Sequence, residues 1–213
     1  MASRALSTFP DAPPSADRVR MTYEEFLESD TFHGPVEWVN GEVVPMAPVS
    51  NEHSIINIWL VRILGEFVER ENLGQVYGEP FQMKIGAEFS RSPDVFFVAK
   101  KNLNRVKSSH LEGPADLVVE VISPGSRALD RGNKYVEYEQ GGVREYWLID
   151  PERKMAEFYQ LGRDRTYQNV LVGGAADGIY RSVVIKGLWL ETDWLWRRPL
   201  PTLKSILKAW KML

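Results

Sequence analysis

The fold of this 213-residue chain is decided by two apolar runs, RSPDVFFV at residues 91–98 and PADLVVEVISPGS at residues 114–126, each of which contains acidic residues. Both runs are rich in Val and carry Pro near their ends, which is typical of strands buried on both faces. A carboxylate inside such a strand is costly unless it is ion-paired, hydrogen-bonded or bound to a metal. Asp94 and Glu120, which have apolar neighbours, are therefore the first candidates for a functional site.

The segments around these runs predict a mixed α/β domain. Thr22 and Glu25 can form a capping box that begins a short helix, and Asn40-Gly41 favours a hairpin. Apolar residues at helical spacing predict a long helix between Ser50 and Gly74. Further strands are predicted at 75–85, 93–99, 115–122, 144–150, 155–161, 166–172 and 180–185, with helices from Ser126 or Asp130 to about Gln140 and over 201–213.

Composition narrows the class of protein. Lys and Arg number 26 and Asp and Glu 29, giving a net charge of −3, and 44% of the residues are hydrophobic, as in a packed globular chain. Residues 1–20 lack a hydrophobic period and predict a disordered tail before a single domain over 21–213, with its core at about 21–161 and a C-terminal extension at 162–213. No apolar run reaches membrane-spanning length, so we expect a soluble, cytoplasmic protein with no membrane partner.

Two carboxylates at one end of a sheet would suit a hard divalent cation. If the strands of Asp94 and Glu120 are neighbours, both side chains converge, and the backbone carbonyl of Val121 is a natural third ligand. Mg²⁺ is held by one or two carboxylates together with carbonyl oxygens and waters. The alternative is that each carboxylate accepts a backbone amide or pairs with an Arg at a strand end, and the spacing leaves both interpretations open.

Lys134 is the candidate cation beside these carboxylates. The strand runs about 10 Å from Glu120 to the turn, and eight helical residues from Ser126 return about 12 Å, which brings Lys134 level with Glu120. The simpler alternative is an exposed pair with Asp130 at i, i+4, worth about 0.3 kcal/mol. Tyr138, one turn later, is interpreted as a packing residue.

Two further residues have both a structural and a functional interpretation. His53 lies on the apolar stripe of the long helix, which favours a half-buried structural histidine. Glu37 lies on the predicted hairpin, as a polar residue of that hairpin or as an extra carboxylate facing the metal. Both are possible accessory site residues.

Two basic segments are candidate contact surfaces. Residues 91–107 hold Arg91, Lys100, Lys101, Arg105 and Lys107 against Asp94, a local charge of +4 that would bind phosphate backbones or form a solvated loop. Residues 197–213 carry five basic residues and an apolar helical pattern. That pattern predicts a helix docked on the domain or on a second subunit, and we expect a homodimer.

The linked motifs of the chain resemble a known family. RSPDVFFV, PADLVVEVISPGS, Lys134, Tyr138 and GVREYWLIDP, preceded by VEWVNGEVVPM and SNEHSIINIWLVRIL, are similar to a bacterial restriction-endonuclease family within the PD-(D/E)XK nuclease superfamily, over about residues 21–161. The resemblance implies a restriction-endonuclease-like core, a mixed β-sheet flanked by helices, with extra C-terminal strands and a helix. It also implies Mg²⁺ or Mn²⁺ as cofactor and nucleic acid, first of all DNA, as substrate.

The resemblance also implies roles for single residues. Asp94 matches the motif Asp and Glu120 the second acidic position, while Glu37 and His53 fall in matching motifs without an assigned role. The superfamily has a Lys two residues after the second acid, where this chain has Ile122. The resemblance therefore requires Lys134 to supply the amine from the helix.

Three hypotheses follow from the sequence. The first is a Mg²⁺-dependent endodeoxyribonuclease in which Asp94, Glu120 and the Val121 carbonyl bind metal and Lys134 orients water or stabilises charge. The second is a non-catalytic nucleic-acid-binding or regulatory module that retains the nuclease fold, which Ile122 favours. The third is a structural dimer whose acidic residues only satisfy the core. Metal binding separates the first hypothesis from the other two.

Overall fold

The computed structural model describes residues 19–173 and 178–213. Residues 1–18 of the predicted tail therefore lie outside the described residues. Val19 and Arg20, which the sequence assigned to that tail, form strand β1 and pair with Val43 and Glu42. Two residues are too few to show a hydrophobic period, so this strand could not be predicted from the sequence pattern.

The first sheet has six strands, of which only one neighbouring pair is parallel. Its order is β1 (Val19–Arg20), β3 (Glu42–Pro45), β2 (Val36–Val39), β6 (Phe89–Arg91), β5 (Gln82–Lys84) and β8 (His110–Glu112), with β5 and β8 parallel. The predicted hairpin joins β2 to β3, and its turn residues Asn40 and Gly41 both have positive φ. Helix α1 (Tyr23–Glu28) begins with the predicted capping box of Thr22 and Glu25.

The second sheet also has six strands and carries the two acidic runs. Its order is β12 (Tyr167–Gly173), β11 (Met155–Leu161), β10 (Glu145–Asp150), β9 (Leu117–Val121), β7 (Val95–Ala99) and β4 (Gly74–Gly78), with β9 and β10 parallel. Strand β7 lies beside β9 with Val95 opposite Val119. One residue further in that register, Asp94 lies opposite Glu120, at the start of β7 and near the end of β9. The prediction that these two strands are neighbours is therefore confirmed.

Helices cover both faces of the second sheet. Helix α2 (Asn51–Arg70) packs on one face, and the side chain of its N-cap residue Ser50 accepts a hydrogen bond from the backbone N–H of His53 at 3.1 Å. On the other face, α3 (Arg127–Leu129), a π-helical turn (Asp130–Lys134) and α4 (Tyr135–Gly141) follow without a break. Gly142 ends α4 in the left-handed conformation. Among the described residues, no helix is long and apolar enough to cross a membrane.

The C-terminal extension docks on its own domain. Helix α5 (Leu203–Ala209) packs along α2, where the indole of Trp59 donates to the carbonyl of Pro201 at 2.8 Å. Trp210 is buried against Phe67, with ring centroids 5.0 Å apart. Of the two alternatives for this helix, docking on the domain is the one observed. The remaining elements are the two-stranded sheet of β13 (Ile179–Arg181) and β14 (Trp189–Glu191) and 3₁₀ turns at Lys100–Arg105 and Thr192–Trp196.

The predicted strands differ from the observed ones where the chain changes sheet. The segment 75–85 forms β4 and β5, which belong to different sheets, because Gly78-Glu79-Pro80 interrupts it and Pro has no amide to donate. The predicted strand 180–185 is observed only as β13. Strands β6, β8 and β14 were missed because three residues are too few to show alternation.

Candidate active site

A cavity of about 160 Å³ lies at one end of two central strands of the second sheet, where β7 begins and β9 ends. Every side chain that the sequence singled out as a possible site residue lines it. Together with two residues that the sequence did not assign to the site, the ionisable groups of the lining are Glu37, His53, Glu79, Asp94, Glu120, Asp130 and Lys134. Strands from both sheets, α2 and the π-helical turn therefore meet at one point.

The two strand carboxylates are held by the sheet itself. Asp94 and Glu120 extend the face of the sheet that buries Phe96 and Val118. Oδ2 of Asp94 accepts the backbone N–H of Val121 at 2.6 Å, and Nε2 of His53 lies 3.1 Å from its Oδ1. The backbone-amide contact that the sequence offered as an alternative is thus present at Asp94, which also lines the cavity.

Lys134 faces the cavity and is 3% exposed. Its Nζ lies 3.1 Å from Oε1 of Glu120, 3.3 Å from Oδ1 of Asp130 and 3.5 Å from Oε1 of Glu37. The pair with Asp130 therefore exists, but the interpretation of it as an exposed surface pair is wrong because both partners are buried. The π-helical turn carries both Asp130 and Lys134, and such turns are frequent at functional sites.

The charge state of Lys134 follows from its partners. Burial lowers the pKa of Lys134, but the carboxylates of Glu120, Glu37 and Asp130 outweigh burial and raise it well above its ordinary value. Burial also raises the pKa of Glu37, while the cations of Lys134 and Arg91 bring it below its ordinary value. These partners therefore favour the ammonium form of Lys134, which donates hydrogen bonds.

The remaining acids of the cavity outnumber the cations. Burial raises the pKa of Glu120 well above its ordinary value, and the charge of Asp94 raises it further against the opposing effect of Lys134. Burial likewise raises the pKa of Asp130. Burial and Asp94 together raise the pKa of Glu79 to about 7. The cavity thus holds more acidic groups than its own cations can balance, and the raised pKa values are the result.

Sequence reasoning missed three contributors to this site. Glu79 lies in the break between β4 and β5, and only its place before Pro80 marked it. Tyr138 was interpreted as packing, yet its hydroxyl donates to Oε1 of Glu120 at 2.5 Å. Its position four residues after Lys134, on the same helix face, was the available signal. Asp130 was considered only as a surface partner of Lys134.

The predicted basic patch beside the site is not formed. Arg91 is 2% exposed and pairs with Glu37 and Glu137. The 3₁₀ turn of Lys100–Arg105 follows the opposite end of β7, about 16 Å from Asp94 at 3.3 Å per residue. The sequence count combined Arg91 with the basic residues of the 3₁₀ turn, which lie at opposite ends of β7.

The oxygen donors of the cavity decide whether it fits the expected divalent cation. In the stretches 19–173 and 178–213, no three His, Asp or Glu side chains are grouped so that they could hold a metal ion by themselves. Asp94 and Glu120 nevertheless line one cavity with Val121. Hard oxygen donors in an acidic cavity fit Mg²⁺ or Mn²⁺ when a backbone carbonyl and waters complete the shell.

Known proteins resemble this chain in fold and in sequence. The fold matches the crystal structure of "a putative nuclease belonging to DUF820 from Anabaena variabilis ATCC 29413", with a TM-score of 0.69 and 19% identity, over 83% of this chain and 97% of that chain. Two Synechocystis sp. (strain ATCC 27184 / PCC 6803 / Kazusa) proteins are similar in sequence. "Uncharacterized protein sll1609" is 27% identical over 62% of this chain and 75% of its own length, and "Uncharacterized protein slr1290" is 24% identical over 71% and 80%.

Residues 23–193 match the Uma2 family, described as "Putative restriction endonuclease". The match spans most of the chain and includes every candidate site residue. The protein therefore belongs to the Uma2 family, and its mixed α/β fold is consistent with the restriction-endonuclease-like superfamily that the sequence motifs indicated.

Proposed function

We propose that this protein is a Mg²⁺- or Mn²⁺-dependent endodeoxyribonuclease that hydrolyses phosphodiester bonds. The observation that carries the proposal is the convergence of Asp94, Glu120 and Lys134 on one buried acidic cavity in a member of a nuclease family. Because a fold alone does not determine chemistry, the proposal rests on the residues of this cavity.

Asp94, Glu120 and the carbonyl of Val121 would hold the divalent cation, and waters would complete its shell. The surplus of acidic groups supports this assignment, because a cation bound there would stabilise the ionised forms of Glu120 and Glu79, whose pKa values burial and Asp94 raise. When bound, the ion supplies Lewis-acid polarisation of the phosphate and lowers the pKa of an attacking water.

Lys134 would act as a fixed positive charge. Because its pKa is raised, the ammonium donates to the attacking water or to a phosphate oxygen on which charge develops, and it does not serve as the general base. Ile122 occupies the usual lysine position and is buried among Tyr138 and Leu148 in the core. The helix supplies the amine that the strand lacks.

DNA as the substrate, a homodimeric state and a cytoplasmic location remain parts of the proposal. An uninterrupted exposed apolar line on α2, formed by Ile55, Ile58 and Val61, supports a second copy as partner. Size-exclusion chromatography with light scattering tests the dimer: a mass near 24.4 kDa, that of one chain, would contradict it.

The decisive experiment is cleavage of supercoiled plasmid with Mg²⁺, Mn²⁺ or EDTA. We expect cleavage only with metal, and a loss of at least about 100-fold in Asp94→Asn, Glu120→Gln and Lys134→Met. Asp116→Asn is the matched control, because Asp116 is equally buried and accepts the backbone N–H of Ala99 at 2.8 Å, at the other end of β7 and β9. Equal activity of Asp94→Asn and Asp116→Asn would contradict the proposal.

The second candidate is a nucleic-acid-binding module without catalysis. It is favoured by Ile122 and by the near-complete burial of Asp94, Glu120 and Lys134. Its signature is DNA binding that weakens steeply with salt, together with no cleavage under any metal. Metal-dependent cleavage that Asp94→Asn abolishes would reject it.

A further inference from the structure

Arg91 is a buried arginine that the proposed chemistry does not use. Its Nε and Nη2 donate to the two carboxylate oxygens of Glu137 at 2.7 and 2.6 Å, and its Nη1 donates to Oε2 of Glu37 at 2.7 Å. The guanidinium thus joins three elements: β6, which carries Arg91, β2 and α4. A bidentate pair of this kind fixes direction as well as distance.

Both partners of Arg91 lead to Lys134. Glu37 turns its other oxygen, Oε1, to Nζ of Lys134 at 3.5 Å and to the backbone N–H of Ser92 at 3.2 Å. Glu137 lies one turn after Lys134, on the same continuous helix. Arg91 therefore reaches Lys134 by two routes, once through a carboxylate and once through the helix backbone.

The helix that Arg91 holds also carries the second partner of Glu120. Tyr138 follows Glu137 directly, and both its hydroxyl and the amine of Lys134 contact Oε1 of Glu120. A shift of the helix would displace both groups together. Through Arg91 and Glu37, the first sheet thus fixes the position of α4 relative to β9, the strand of Glu120.

We propose that Arg91 is a positioning residue, which places the ammonium of Lys134 at Glu120 by clamping Glu37 and Glu137. Arg91 is 2% exposed and touches neither substrate nor metal in this role. The part of this inference that concerns reaction rate rests on the proposed nuclease function. The part that concerns the placement of Lys134 is independent of it.

The test uses the reactivity of Lys134 itself. Folded protein is treated briefly with an amine-acetylating reagent, and acetylation of Lys134 is quantified by mass spectrometry relative to exposed Lys208. We expect Lys134 to be protected in the wild type. Its relative acetylation should rise about tenfold or more in Arg91→Lys, which keeps the charge but loses the planar fork, and in Glu137→Gln.

Glu145→Gln is the control for general loosening of the fold. Glu145 is 0% exposed and accepts hydrogen bonds from Trp147 and Ser182, outside the cavity. Lys134 should remain protected in this variant. Protection unchanged in both Arg91→Lys and Glu137→Gln, or lost equally in Glu145→Gln, would overturn the inference.

Turnover is the second measurement. In Arg91→Lys we expect kcat to fall about tenfold or more, with KM for DNA within about twofold of the wild type, since only the placement of Lys134 changes. Exposure of Lys134 without a fall in kcat would overturn the positioning role. A wild type without nuclease activity would defeat the proposed function, while the acetylation result would still decide whether Arg91 places Lys134.

Discussion

Lys134 is shared by three buried carboxylates, and the consequences of removing it differ from those for a surface lysine. Lys134→Met leaves Glu120, Asp130 and Glu37 without their common cation, which at fixed charge costs about 3–5 kcal/mol. We expect this loss in the free energy of unfolding at pH 8, measured in urea, and a smaller loss at pH 5. The difference arises because Glu120 and Asp130, whose pKa values are already raised, take up protons there.

Asp130→Asn is the comparison for Lys134→Met. It removes one of three partners and keeps the contact between Lys134 and Glu120, so it should cost less stability and retain far more cleavage activity. An effect of at most about 0.5 kcal/mol from both substitutions would mean that the pair behaves as an exposed one. Equal loss of activity from both would contradict the catalytic role of Lys134.

Glu79 gives the molecule a stability that depends on pH. Burial and Asp94 raise its pKa from 4.5 to about 7, so the native state binds this proton more tightly than the unfolded chain does. Stability should therefore fall as pH rises from about 4.5 to about 7. Glu79→Gln mimics the protonated form and should be the more stable protein by about 1 kcal/mol at pH 8, after discounting for its partial exposure, with no advantage at pH 4.5.

Urea denaturation of Glu79→Gln and wild type across this pH range measures the effect. A stability difference that does not change with pH would contradict the raised pKa. Mg²⁺ at saturating concentration should shrink the difference at pH 8, because a cation in the cavity favours the ionised carboxylate.

Single residues could be predicted from the sequence where they break a pattern. Asp94 and Glu120 are carboxylates inside apolar strands, and Lys134 follows at a helix length that returns to them. Glu79 and Arg91 break no pattern. Glu79 lies in a turn, and Arg91 lies among polar residues just before an apolar strand, where charged side chains are common. Their roles depend on contacts across two sheets, which sequence spacing does not encode.

At the scale of elements, two loops meet over the cavity. Ala47, between β3 and α2, and Gly125, between β9 and α3, line it together, and a Cβ at position 125 would lie 3.2 Å from that of Ala47. The carboxylates beneath are at most 3% exposed at Asp94 and Glu120. Under the proposed function, we therefore expect a DNA backbone to separate these loops before it reaches the carboxylates.

A disulfide between these loops tests that requirement. The chain contains no Cys, so Ala47→Cys with Gly125→Cys introduces the only pair. Its Cβ separation of 3.2 Å is shorter than the roughly 3.5–4.5 Å of disulfides, and a shift of a few tenths of an ångström brings it into that range. We expect the oxidised protein to lose at least about 90% of its plasmid cleavage and a reductant to restore it. Each single variant is a control, and full activity of the fully oxidised double variant would show that the loops need not part.

The sequence predicted the elements that bear the site but not the helical register that completes it. Helix α2, the hairpin and the strands β7 and β9 follow from periodicity, capping and turn residues. The π-helical turn at Asp130–Lys134 does not, because π turns are rare single-turn insertions in α-helices and no residue pattern of this segment marks one. The estimate that Lys134 returns to Glu120 nonetheless holds, since a π turn changes the rise by only a fraction of a turn.

At the scale of the whole molecule, the second sheet separates two cores. One lies between this sheet, α2 and the C-terminal extension, and the other joins the two sheets and α4. The cavity lies at the end of β7 and β9 where both sheets, α2 and the π-helical turn contribute side chains. The C-terminal extension therefore supports the site at a distance, because it covers α2, whose first turn carries His53.

Trp210 tests whether this support is structural alone. It is buried against Phe67 and donates to the carbonyl of Trp189 at 2.8 Å, so Trp210→Ala should lower the free energy of unfolding by about 3–5 kcal/mol. Phe67 lies about 21 Å along α2 from His53, at 1.5 Å per residue. The fraction of Trp210→Ala that remains folded should therefore cleave DNA at the wild-type kcat.

Lys208→Ala is the matched control for Trp210→Ala, because Lys208 is an exposed neighbour on α5 and should change stability by less than about 0.5 kcal/mol. Urea denaturation gives the stability of both variants, and cleavage at a temperature where each is folded gives kcat. A large fall in kcat for folded Trp210→Ala would show that the extension shapes the cavity through α2. Unchanged stability of Trp210→Ala would show that packing of Trp210 on α2 does not stabilise the fold.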